Sequence, residues 1–245
     1  SLWKIQTTDY HGTYYGATVA NGGIGILPWK EPFSIRHVML NHVFDSATPQ
    51  DVSRVLRGIN PFNLQMQING QTVNGDNISR WEQCIDMKEA THNTHFTCDG
   101  KADVSYSICA LRNLPYAGLV RVEVVALGDM YLTVSNPIEI PDEYKNIGSK
   151  LVNVNVNGND IKIVRTWALS KYREQKVSAS SAFIYDKNSS VQQQYNGSGQ
   201  ISISLKKGEK FFFTLLGAVC TGRDFIDPYN ESDREVIYGA KEGLT

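Results

Sequence analysis

The sequence predicts an all-β fold, a large antiparallel two-sheet β-sandwich. Three observations carry that expectation. Five Asn-Gly dipeptides and one Asp-Gly separate the apolar runs, and such pairs accept the positive φ of tight hairpin turns. Several segments alternate apolar and polar residues, as strands with one covered face do. Short reversals join antiparallel strands, whereas parallel strands need long crossovers. No fixed-period repeat, linker or low-complexity block divides the chain, which favours one domain.

Residues 1–13 are a lead-in with an aromatic start. Residues 14–45 read YYGATVANGGIGILPWKEPFSIRHVMLNHVFD. The middle of this stretch, 18–27, is strand–turn–strand, with the reversal at Asn21-Gly22-Gly23. The segment after it carries Trp29, Lys30, Arg36, His37 and His42, and can line a polar surface. Thr48-Pro49-Gln50-Asp51 has the order of a helix opening, with Thr48 as cap and Pro49 in the first turn. Val52, Val55 and Leu56 then share a helical face and Gly58 ends it, so one short helix is expected over 48–58.

Residues 62–68 alternate Phe62, Leu64, Met66 and Ile68 with polar partners, and Asn69-Gly70 turns the chain back into 71–73. Residues 81–87 and 94–98 form the next pair. Asp99-Gly100 leads into 102–111, where Val104, Tyr106 and Ile108 alternate with Asp103, Ser105 and Ser107. Residues 119–127 are a further strand, expected to be covered on both faces near its end because Val124, Val125, Ala126 and Leu127 are consecutive. Pro137 and Pro141 bracket a loop. Residues 151–156 and 160–167 flank Asn157-Gly158 as a second well-marked hairpin. Strands at 178–185 and 201–205 follow, and 210–220 is apolar enough for a central strand between two covered faces. From Asp233 onward Val236, Ile237, Ala240 and Leu244 fall at helical spacing, with Ser232 or Asp233 as cap.

At 245 residues the chain can bury roughly 70–75% of its unfolded surface without staples. It has 24 basic and 25 acidic residues, a net charge of -1, which gives no support for a nucleic-acid or membrane partner. The longest apolar run, 211–220, is too short to span a bilayer. Cys84, Cys98, Cys109 and Cys220 show no metal-ligand or C-x-x-C spacing; buried thiols and disulfides both remain open. The chain begins Ser1-Leu2-Trp3 with no visible signal peptide. A periplasmic or secreted location is expected, with cytoplasmic as the alternative.

Two motifs carry a family resemblance. Asn21-Gly22-Gly23-Ile24-Gly25 resembles the turn after the first strand of the N-terminal domain of glycoside hydrolase family 65, with Gly23 where that family more often has an aromatic. Trp81-Glu82-Gln83-Cys84-Ile85-Asp86-Met87 resembles its strand-and-turn that follows. The family comprises acid trehalases, disaccharide phosphorylases and related glucosidases. The resemblance implies a galactose-mutarotase-like supersandwich over 1–228. It makes 229–245 the start of a helical linker to an (α/α)6-barrel catalytic domain. The family's general-acid glutamate lies in that barrel, so the chain alone is expected not to catalyse. Its expected partners are its own C-terminal catalytic domain, carbohydrate and a second copy in a homodimer. The intact protein is expected to hydrolyse or phosphorolyse an α-glucoside, hydrolysis being preferred. The loop 28–45 is the part expected to approach the barrel.

Each candidate for chemistry has a plainer reading. His37 and His42 are five apart, and His92 and His95 three apart; on strands an odd separation sends the pair to opposite faces. Surface or loop histidines are therefore favoured over a metal site, and no cofactor is expected. A mutarotase-type epimerase would need His37, His95, Glu123 and Asp86 to converge in one groove. Trp29, Trp81, Trp167 and Tyr172 could stack on a pyranose. Trp81 lies in an alternating strand and reads as core, Trp29 lies in a loop that a rigid sheet could present, and Trp167 is undecided. Asp142-Glu143 and the pair Asp224 and Asp227 read as solvated loop acids rather than a hydrolytic pair. Four sequons, beginning at Asn77, Asn188, Asn196 and Asn230, occur at the level of chance. Trp29 and His37 are thus the candidate substrate-binding residues, and no catalytic residue is assigned. A stand-alone carbohydrate-binding sandwich is the alternative, with a sugar epimerase or lyase behind it.

Overall fold

The structure, a computed structural model, describes residues 2–13, 16–46, 48–186 and 189–243. In chain order its strands are β1 (Lys4–Thr7), β2 (Val19–Ala20), β3 (Ile24–Pro28), β4 (Ile35–Ser46), β5 (Ser53–Arg57), β6 (Gln65–Ile68), β7 (Gln71–Thr72), β8 (Ile78–Asp86) and β9 (Thr91–Cys98). The second half contributes β10 (Ala102–Ala110), β11 (Ala117–Ala126), β12 (Met130–Asn136), β13 (Tyr144–Val156), β14 (Asn159–Ser170), β15 (Lys176–Tyr185), β16 (Gln192–Tyr195), β17 (Gly199–Leu205) and β18 (Lys210–Thr221). Helix α1 (Pro228–Lys241) follows.

The strands make a nine-stranded sheet, β1-β8-β9-β10-β11-β18-β15-β14-β13, a five-stranded sheet, β16-β17-β12-β6-β7, and a four-stranded sheet, β2-β3-β4-β5. The two smaller sheets share one core with the large one. Ile26 and Val38, Met66 and Leu132, and Val104 and Val122 come from the three sheets in turn. The expected antiparallel sandwich is what the chain forms.

Local chemistry explains the hairpins. Asn69 and Gly70 adopt φ of 51° and 80°, Asp99 and Gly100 41° and 64°, and Asn157 and Gly158 52° and 77°. Positive φ at both central residues matches the right-handed twist of the flanking strands. At the Asn21 reversal the constraint is space. A Cβ on Gly23 would lie 2.1 Å from the Pro115 carbonyl oxygen, while Asn21 Nδ2 donates to Leu111 O at 2.7 Å. Phe62, fully buried, sits over two glycines of the large sheet. A Cβ on Gly217 would come within 2.7 Å of its ring, and one on Gly118 within 3.2 Å.

Helix α1 covers the other face of the large sheet at β14, β15 and β18, where Val236 meets Ile163, Ala182, Leu216 and Ala218 in a second core. This explains β18: it lies between β11 and β15, and from Phe213 onward both its faces are buried.

Several expectations are corrected. No helix forms at 48–58. Thr48 and Asp51 close a turn, and β5 pairs with β4. Val52 stays exposed and Val55 half-exposed, so the apolar residues that share a helical face have no common surface to cover. The doubly covered part of β11 is its start, Ala117 to Val120; Val125 is only half-buried near the end. Helix α1 starts at Pro228 with Asp227 as cap, and Ser232 and Asp233 lie buried inside it. Residues 229–241 lie in this helix, which packs on β14, β15 and β18. Leu244, Tyr14, Tyr15 and Asn188 lie outside the described residues. All four cysteines are free thiols, with Cys98 and Cys220 buried.

Candidate functional site

The hairpin β3–β4 positions both nominated residues. Residues 29–34 form a closed loop in which Trp29 N–H donates to Ser34 O at 2.9 Å. Phe33, at φ 61°, turns into the core and stacks on Tyr106 with centroids 4.4 Å apart. From β8, Gln83 Nε2 donates to Trp29 O at 2.9 Å and Trp81 Nε1 to Lys30 O at 3.2 Å. The large sheet therefore grips this loop by its backbone. Trp81 is buried, as its alternating strand requires.

A β-bulge then aims two side chains outward. Leu27 pairs with His37 but Pro28 with Ile35, so Arg36 is the extra residue. Ile35 and Val38 are buried, Arg36 is exposed and His37 half-buried. The three-residue step between two inward side chains leaves Arg36 and His37 together on the outer side. Arg36 Cζ lies 4.3 Å from the centroid of Trp29, a cation–π stack.

Beyond His37 lies a polar network. Arg57 grips Glu143 with a fork of two bonds, Nε to Oε1 and Nη2 to Oε2, both 2.6 Å. Asn63 Nδ2 donates to Glu139 Oε2 at 3.1 Å, and Asn63 Oδ1 accepts from Ile35 N–H at 2.8 Å. Burial, aided by the positive Arg57 and Arg36 and opposed by Glu139 and Glu143, holds the His37 imidazole below its ordinary value. It is neutral at pH 7 and offers one donor and one acceptor. Burial would raise the Glu143 carboxyl, but Arg57 carries it below the usual carboxylate range. The formal charges of Arg36, Arg57, Glu139 and Glu143 cancel, so the surface suits an uncharged, hydroxyl-rich ligand better than an anion.

At the far end of β4, the buried Asp45 accepts from Tyr172 N–H at 3.2 Å and Arg173 N–H at 3.0 Å. It ties this hairpin to the turn between β14 and β15. The four residues of the epimerase alternative do not converge. His95, Ser105 and Glu123 form one cross-strand row on β9, β10 and β11. Asp86 is ion-paired with Lys4 at 3.2 Å, and His37 belongs to the other layer. Asp227 caps α1 and stays exposed, as its reading as a solvated acid expects. Among the described residues no group of three His, Cys, Asp or Glu side chains is placed to hold a metal ion. Glu143, read from sequence as a solvated loop acid, is half-buried against Arg57; Arg57, Asn63 and Glu139 were not nominated, because Arg57 and Glu143 are 86 positions apart and no local pattern links them.

Residues 16–244 match the family described as glycosyl hydrolase family 65, N-terminal domain. A kojibiose hydrolase of Flavobacterium johnsoniae is 30% identical over 98% of the chain, and one of Mucilaginibacter mallensis is 28% identical over 98%. The chain spans 37% of the length of each. A solved structure described as a candidate kojibiose phosphorylase from human microbiome superposes with a TM-score of 0.74 at 8% identity, over 99% of this chain and 36% of that one. At that identity the likeness shows the fold alone.

Proposed function

The chain belongs to the family of glycosyl hydrolase family 65 N-terminal domains, and on that premise we propose that it shapes a catalytic cleft without supplying the chemistry. Its partner is a C-terminal catalytic domain of the same protein. The β3–β4 hairpin forms part of the cleft wall, with Trp29, Arg36 and His37 toward the sugar. The whole protein hydrolyses an α-glucoside, with kojibiose as the first substrate to test, because the 30% and 28% identical relatives are both named kojibiose hydrolases.

The observation that carries this reading is the state of the titratable groups in the site. Glu143 is neutralised by a bidentate arginine, Glu139 accepts from an amide, and His37 is kept neutral. General acid catalysis wants a protonated group held near the working pH and facing the leaving oxygen. These side chains are arranged instead to orient hydroxyls.

In the intact enzyme that carries this domain, Trp29→Ala is expected to raise KM for kojibiose about tenfold, the loss of roughly 1.4 kcal/mol of stacking and hydrogen bonding. The change in kcat should be smaller. Steady-state kinetics reads this directly. Unchanged KM would remove Trp29 from the cleft wall.

A further inference from the structure

We propose that the pocket between β13, β14 and the first turn of α1 is a second saccharide-binding site. It holds one pyranose unit against Trp167 and Tyr229, away from the β3–β4 hairpin. The pocket has a volume of about 290 Å³ and is lined by Lys150, Arg165, Trp167, Asp227, Tyr229 and Asn230. That is the low end of the range for small-molecule sites, and it suits a single sugar ring.

Two aromatic rings supply the apolar part of a mostly polar lining. Trp167 and Tyr229 meet at 74° with centroids 6.3 Å apart, so a sugar can rest its C–H face on one while its edge meets the other. Trp167 lies against β13 because residue 148 is glycine: a Cβ there would sit 2.3 Å from the indole. The β13 ladder slips between Lys145 and Gly148, and this irregularity makes the seat for the ring.

The polar groups are held in advance. Arg165 Nη1 donates to Asn230 Oδ1 at 3.0 Å, and Asn230 Nδ2 donates to Asp227 Oδ2 at 2.6 Å. Arg165 is itself buried and fixed by Asp233. Such an ordered chain lowers the ordering cost of binding. Lys150 is exposed and can donate, while Asp227 can accept. Hydroxyls need both kinds of partner.

The same inventory disfavours an anion. Asp227 offsets Lys150, and Asp233 offsets Arg165. The helix terminus is already served, since Asp227 Oδ1 accepts from Asn230 N–H at 3.1 Å. The choice of gluco-oligosaccharides as probes rests on the proposed function; the pocket itself does not.

The test is titration of the 245-residue chain with glucose, kojibiose and maltose, followed by tryptophan fluorescence and calorimetry. Saturable binding is expected with Kd on the order of 1 mM, typical of a small, exposed sugar site at about 4 kcal/mol. Trp167→Ala should weaken it at least tenfold and Lys150→Met about threefold. Tyr131→Ala, at an exposed position of β12 outside both regions, should leave it unchanged. Lys150 is exposed, so its variant keeps the test valid if Trp167→Ala unfolds. Absence of saturation, binding of inorganic phosphate in place of sugar, or a loss caused by Trp29→Ala alone would each overturn the site. The last result would move the sugar to the hairpin and leave the proposed function standing.

Discussion

Replacing Arg165 by methionine is expected to lower the stability of the chain by about 3–5 kcal/mol, the cost of stripping one partner from a buried ion pair. Arg165 and Asp233 are 5% and 6% exposed, and their closest N–O separation is 3.3 Å. Asp233 Oδ1 also accepts from Ser180 Oγ at 2.6 Å, and Ser232 Oγ lies 2.8 Å from both Ser178 and Ser180. The pair therefore fixes the N-terminal half of α1 to β14 and β15, while apolar contacts fix the remainder.

Burial raises the Asp233 carboxyl above its ordinary value even with Ser180 and Arg165 beside it. Without Arg165 its pKa rises further. A group whose folded pKa exceeds its unfolded one destabilises above that pKa and is relieved as pH falls through it. The single variant should thus lose less stability at pH 5 than at pH 7. Arg165→Met with Asp233→Asn should recover most of the loss, since no uncompensated charge remains. Urea denaturation reads all three. Equal losses in the single and double variants would show that packing, and not charge, holds α1.

Acid should weaken the fold by roughly 3 kcal/mol between pH 6.5 and pH 4 through one imidazole. His92 is only 3% exposed, and burial depresses its pKa to about 4. The unfolded chain then binds the proton more readily than the folded one throughout that window. The sign follows: stability is complete above pH 6.5 and is lost as pH falls toward 4. His92→Met should flatten this stretch of the profile. Asp45 acts lower down. Burial would raise its carboxyl, but hydrogen bonds from Ser170 and from the backbone of Ser46, Tyr172 and Arg173 carry it below the usual range. Its contribution is therefore lost only below the ordinary aspartate pKa. Chemical denaturation at several pH values separates the two, and a flat profile from pH 6.5 to 4.5 would contradict the role given to His92.

The parts of this fold legible in the sequence are those with local causes. Asn69-Gly70, Asp99-Gly100 and Asn157-Gly158 turn the chain because those residues accept positive φ. Strand β10 alternates because one face meets the core. The twelve-residue β4 was less legible, since the Arg36 bulge and a second irregularity between Met39 and Phe44 break its period. Positive φ at His42 adds to the break. Residues 48–58 misled because Thr48 and Pro49 suit a turn as well as a helix cap. The start of α1 was missed because Asp227 and Pro228 stand before the apolar periodicity begins.

Trp29 and His37 were readable as loop and surface residues. What surrounds His37 was not, because Arg57, Asn63, Glu139 and Glu143 meet only when three separate segments pack. Trp167 was undecidable without Gly148 beneath it, a partner supplied by the neighbouring strand.

On the proposed function this domain shapes the cleft, while the reacting carboxylates belong elsewhere in the protein. The most direct measurement is glucose release from kojibiose by the 245-residue chain alone, with and without inorganic phosphate. No release above the buffer rate is predicted under either condition. Glucose or glucose 1-phosphate that accumulates in proportion to the concentration of the chain would contradict it.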